Sequence, residues 1–143
     1  MKRKSIKEVV ENPRSNEYYV LVTRYYPMEL RKRKMKLADS PIDLWDRTLA
    51  PSKTLLADVK KRGLSWSEYV KRFNVELPRD FALRKLIQYE CQAGREKEVV
   101  LVCIEEDSEY PRCHTWILLG HKEWFEGMSN RDQVELIEKG WKR

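Results

Sequence analysis

Glu98-Val99-Val100-Leu101-Val102-Cys103-Ile104-Glu105 sets six consecutive apolar residues, four of them β-branched, between charged ends. An apolar run of this length without polar alternation is the pattern of a strand buried on both faces, as in the parallel sheets of α/β proteins. A second run, Glu17-Tyr18-Tyr19-Val20-Leu21-Val22-Thr23-Arg24, follows the breakers Asn12, Pro13, Ser15 and Asn16 and reads the same way. Ahead of it, residues 5–10 fit an edge strand or a helical turn, and the strand is preferred.

Helical patterns fill the space between and after these runs. Residues 41–49, with Ser40 as N-cap and Pro41 at the first helical position, read as a short helix carrying Leu44, Trp45 and Leu49. Ser52 opens a second, which ends at Gly63. Ser65-Trp66-Ser67-Glu68 is a capping box for a third, with Trp66, Tyr69, Val70 and Phe73 on one face. A fourth over 80–92 is expected to turn Phe81, Leu83, Leu86, Ile87 and Cys91 inward before Gly94. Pro111 can start a fifth reaching Phe125, and Ser129-Asn130 a last one over 131–139. Of the five tryptophans, four sit at periodic helical positions and read as packing residues rather than a ligand platform.

The expected architecture is therefore a single-domain α/β fold, a small, mainly parallel sheet covered by helices. It divides into a basic N-terminal segment with a possible edge strand over 1–16, the α/β domain over 17–126 and a C-terminal helix over 127–143. A chain of 143 residues supports one ordinary hydrophobic core. No stretch approaches the roughly twenty apolar residues of a membrane helix, and the basic start has no apolar run behind it, so no membrane role and a cytoplasmic location are expected. Cys91, Cys103 and Cys113 are odd in number and lie outside any small loop-rich scaffold, which favours reduced thiols.

The formal net charge of +6 is unevenly spread. Residues 1–36 hold eleven Lys/Arg against four Glu, or +7, and the remainder is close to neutral. The cluster Arg31-Lys32-Arg33-Lys34 is able to draw polyanions by counterion release, and it also reads as an ordinary solvated segment.

Three blocks bear a family resemblance. Tyr19-Val20-Leu21-Val22-Thr23-Arg24-Tyr25-Tyr26-Pro27, then Asp43-Leu44-Trp45 with Leu49-Ala50-Pro51-Ser52, then residues 66–77 with their Trp-x-x-Tyr and Arg-Phe-x-x-Glu-Leu pattern, resemble the YeaO-like proteins, known as domain of unknown function 488. Val102-Cys103-Ile104-Glu105 and Cys113-His114 are similar to the Cys-x-Glu and Cys-His-Arg signatures of the wider family. Thr115 stands where that signature has Arg, and Thr23 where YeaO-like proteins have Asp. The resemblance covers residues 18–124 and implies a compact α/β fold without implying an activity.

If both strand runs are parallel, their C-terminal ends share one edge, where open α/β sheets bind ligands. Arg24 and Tyr25 would then lie near Cys103, Glu105, Cys113 and His114. Cys113, in the first turn of its helix, is a candidate nucleophile with His114 as base or imidazolium partner and Glu105 as a proton carrier; Arg24 would recognise an anion. Cys103 and Cys113 also read as plain packing residues. The spacing of Cys103, Cys113, His114 and His121 matches no common zinc pattern, so no metal is assigned, and the residues leave any cofactor unknown. Three readings stay open: a small-molecule or nucleotide-directed enzyme, a nucleic-acid-binding module using the basic loop 24–36 with Tyr25 and Tyr26, and an interaction protein without catalysis. The partner is accordingly an unidentified small molecule or nucleic acid.

Overall fold

The computed structural model describes residues 1–104 and 113–141. The strands are β1 (Lys2–Ser5), β2 (Glu17–Leu21), β3 (Leu44–Trp45) and β4 (Glu98–Cys103); the helices are α1 (Ile6–Glu11), α2 (Met28–Lys32), α3 (Lys53–Arg62), α4 (Trp66–Glu76), α5 (Arg79–Ala93), α6 (His114–Glu126) and α7 (Asn130–Trp141). Together they form an α/β domain around one parallel sheet, in the order β1-β4-β2-β3. Among the described residues no helix is long and apolar enough to cross a membrane.

The unbroken apolar runs follow from this topology. β4 lies between β1 and β2, with Ser5 opposite Cys103 and Leu21 opposite Val102. Because successive side chains alternate faces, Val20, Val22, Val99 and Leu101 pack against Leu55, Phe73, Leu86, Tyr89 and Leu118 of α3 to α6. Tyr19, Leu21, Val100 and Val102 pack on the other face against Ile6 and Val9 of α1 and Leu30 of α2. Both faces are covered, so neither strand has polar positions to alternate.

Caps define α3 and α4 as the sequence suggests. Ser52 and Ser65 accept hydrogen bonds from the amides of Leu55 and Glu68 at 3.0 and 3.2 Å, and Gly63 closes α3 at φ 60°, a left-handed conformation that glycine adopts without a Cβ clash.

Four expectations need correction. Residues 5–10 are mostly α1, and the edge strand lies earlier, at Lys2–Ser5. Ser5 accepts from the Glu8 amide at 3.2 Å while the Glu8 carboxylate accepts from the Ser5 amide at 3.3 Å, a reciprocal cap that turns the chain into a helix. Residues 41–49 form β3 and a 3-10 turn at Arg47–Leu49 instead of a short helix. There the exposed edge of β2 supplies backbone partners that a two-turn helix could not use: Asp43 and Asp46 amides donate to the Tyr19 and Leu21 carbonyls at 2.9 and 2.8 Å. α5 turns Ala82, Leu83, Leu86 and Tyr89 inward, leaving Cys91 exposed, because the Tyr89 hydroxyl donates to the buried Asp46 carboxylate. The basic segment 24–36 is not a plain loop, since α2 docks Leu30 into the second core.

At the N-terminal edge of the sheet, Glu17 is buried with Lys2 Nζ 2.6 Å and Lys4 Nζ 2.7 Å from its carboxylate, and Tyr19 donates to it at 2.7 Å. Burial alone would push the carboxyl up, but these donors outweigh it and hold Glu17 down at about 2. A carboxyl depressed in the fold stabilises it above its ordinary 4.5 and loses that contribution as the pH falls towards about 2. Glu17→Gln is expected to cost about 2 kcal/mol at neutral pH. It should also flatten the acid limb of a stability profile measured by urea unfolding, and an unchanged limb would contradict this account.

Candidate functional site

At the C-terminal edge the β2 backbone runs past Leu21, the Val22 amide donating to the Val102 carbonyl at 3.0 Å, and then turns through Thr23, Arg24 and Tyr25. The Thr23 hydroxyl donates to the Tyr25 carbonyl at 2.8 Å, and Trp45 Nε1 donates to the Thr23 carbonyl at 2.8 Å. Arg24 Nε and Nη2 donate to the carbonyls of Pro51 and Ala50 at 3.0 and 3.2 Å, tying the Leu49-Ala50-Pro51-Ser52 block to this turn. Arg24 is thus partly a structural clamp, with Nη1 the nitrogen not used in it.

A cavity of about 460 Å³ opens beside the turn, with Arg24, Tyr25, Cys103, Ile104 and His114 among its walls. Lys7, Lys32 and Lys60 also line it, and among the described residues Glu29 is the one acidic member of the lining. Ile6, Pro27, Met28 and Leu56 give the walls an apolar part. Such a mixture suits a molecule with an apolar or ring-like body and a negative charge.

One thiol lines the cavity and a second lies behind it. Cys103 ends β4 on the face that meets α6, and Cys113 immediately precedes α6 as its N-cap residue, one position outside the expected first turn, without making a cap bond itself. Both are free and buried, at 0% and 3% exposure, and their side chains are hydrogen-bonded to each other. Arg3, buried on β1, donates from Nη2 to Cys103 Sγ at 2.7 Å and from Nε to Thr115 Oγ1 at 2.9 Å. With its oxygen engaged by Arg3, the Thr115 hydroxyl donates to Cys113 Sγ at 3.1 Å. Pairing with Cys113 and burial push the Cys103 thiol well up despite the Arg3 cation, so Cys103 stays protonated at neutral pH.

His114 Nε2 lies 2.7 Å from the Val22 carbonyl. A carbonyl only accepts, so Nε2 carries the hydrogen, and in the neutral ring Nδ1 is the acceptor. Nδ1 faces Cys113 Sγ at 3.7 Å, and the ring packs against Phe73 at 5.7 Å between centroids. A base with its tautomer set by a third group, placed beside a thiol, is an arrangement able to take that thiol's proton.

The fold therefore brings Arg24, Tyr25, Cys103 and His114 around one cavity and sets Cys113 behind Cys103. Glu105, like the expected helix start at Pro111, lies outside the described residues. The basic cluster is divided: Lys32 faces the cavity, Arg31 faces a second hollow, Arg33 pairs with Glu11 and Glu29 at 3.3 and 3.0 Å, and Lys34 occupies a left-handed turn at φ 53°. Arg3 and Lys60 were not singled out from sequence. Arg3 carried a weak signal, a lone position in a basic run whose importance appears only when β1 pairs with β4.

A family model described as the Active DUF488-N3 subclade matches residues 4–127. The chain belongs to this family. No curated protein and no solved structure matches it. Thr115 receives a guanidinium from β1, because Arg3 bonds it directly. In the folded protein at neutral pH, iodoacetamide should label exposed Cys91 and leave Cys103 unmodified until denaturant is added. Peptide mass spectrometry reads both sites, and equal labelling rates would contradict the packing.

Proposed function

We propose that this protein is an enzyme that uses a cysteine thiol on a small anionic, nucleotide-like molecule bound at the C-terminal edge of the sheet. The observation that carries this reading is the His114 tautomer: its Nε2 is committed to Val22, which turns the accepting Nδ1 towards Cys113. In the proposed reaction Cys113 Sγ attacks an electrophilic atom of the substrate, His114 takes the thiol proton and passes it to the leaving group, and the Thr115 hydroxyl supports the sulfur as charge develops. Cys103, kept protonated, is a hydrogen-bond donor to that sulfur. Arg24, Lys32 and Lys60 hold the substrate's negative charge, and Tyr25 offers a face for a ring. Glu105 is the remaining proton carrier in this proposal. The description of the family's subclade as active agrees with a reacting site.

Two alkylating reagents that differ in charge test the reading. Iodoacetate is the anionic counterpart of iodoacetamide, so a cationic pocket should favour it at Cys113 relative to Cys91. His114→Ala should slow Cys113 alkylation about 100-fold, the scale of general-base assistance, while leaving Cys91 unaffected. If Cys113 stays inert to both reagents until the chain unfolds, the thiol mechanism fails.

A further inference from the structure

Beside the cavity lies a second hollow of about 500 Å³, separated from it by Arg24, Tyr25 and Tyr26, which line both. Arg31, Arg47 and Lys53 complete its cationic wall, and among the described residues no acidic one lines it. They come from three separate places in the chain: α2, the 3-10 turn after β3 and the first residue of α3. Among the described residues none of these three has a carboxylate partner. At the opposite edge of the sheet Lys2 and Lys4 are matched to Glu17 and Glu98. Several like charges gathered without a counter-charge repel one another, and a polyanion relieves that repulsion.

The hollow also presents ring faces. The Arg47 guanidinium sits 3.9 Å over the Trp45 ring, and Tyr26 meets Trp45 edge-on at 6.0 Å. Tyr25, 55% exposed, stands between the two hollows. Cations tracking a backbone beside aromatic faces are the recurrent chemistry of single-stranded nucleic-acid binding, since an unpaired base has a face to stack and a duplex base does not.

We propose that this hollow and the cavity beside it form a binding tract for single-stranded nucleic acid. Phosphates meet Arg31, Arg47 and Lys53, a base stacks on Tyr25 at the divide, and the next nucleotide enters the cavity. The tract extends the proposed function by naming its substrate class, but binding in it does not require the thiols.

The test is fluorescence anisotropy of the full chain with a labelled oligothymidylate of about eight nucleotides, a length within the usual single-strand site sizes. With three phosphates neutralised, affinity should fall roughly 20-fold between about 50 and about 200 mM salt. Arg31→Ala with Lys53→Ala, both at exposed positions, should weaken binding and flatten that salt dependence. Tyr25→Ala should weaken it about tenfold or more through lost stacking. Circular dichroism confirms that each variant is folded. The proposal is overturned if the oligonucleotide does not bind, if the Arg31 and Lys53 changes leave its affinity unaltered, if a duplex binds as tightly, or if Tyr25→Ala has no effect and inorganic tripolyphosphate competes equally well. An oligonucleotide that fails to bind while Cys113 remains reactive removes the tract alone. An inert Cys113 with the oligonucleotide bound removes the thiol mechanism alone.

Discussion

The hydrogen bond from His114 Nε2 to the Val22 carbonyl is the joint on which the candidate site depends. It lies beyond the C-terminal end of β2, and it places the first turn of α6 against the sheet edge. A buried carbonyl left without a donor costs about 1–3 kcal/mol, so the bond has a structural purpose as well as a chemical one. Through it the ring is held on Phe73, its accepting nitrogen faces Cys113, and Cys113 is kept behind Cys103 at the cavity wall. Arg3 completes the arrangement from β1 by bonding Thr115 and Cys103 together.

The two edges of the sheet treat charge in opposite ways. At the N-terminal edge Lys2 and Lys4 converge on the buried carboxylate of Glu17, and the charges there are largely internally matched. At the C-terminal edge Arg24, Lys32 and Lys60 face one hollow and Arg31, Arg47 and Lys53 face or flank the other. The basic excess of residues 1–36 is therefore not one patch. Part of it holds β1 and β2 together, Arg33 is paired with Glu11 and Glu29, and the rest joins cations from later in the chain.

Much of the candidate site was legible because strand direction alone predicts which residues share an edge. Arg24, Tyr25, Cys103 and His114 do line one cavity. The relation between the cysteines was not legible. The sequence places Cys103 and Cys113 together at the edge, whereas in the fold Cys103 lines the cavity and Cys113 lies one layer behind. That depth depends on where α6 begins relative to the end of β4, which no local pattern specifies. Arg3 escaped notice for a related reason: a buried arginine looks like any other member of a basic run until its partners, about a hundred residues away, are brought to it.

The sequence by itself determined β2, β4, the caps of α3 and α4 and the α/β class, because long apolar runs and serine caps act over a few residues and leave the backbone one favourable choice. The Ser5–Glu8 capping box was equally local and would have placed α1. Only the tertiary structure decided that residues 44–45 pair with β2 rather than coil, and that α5 turns Tyr89 towards Asp46 in place of Cys91. It alone also gathered Arg24, Arg31, Arg47 and Lys53 around one hollow. Short segments and surface cations carry too little local preference to choose for themselves. Their conformation is set by backbone groups, carboxylates and cavities that distant parts of the chain provide.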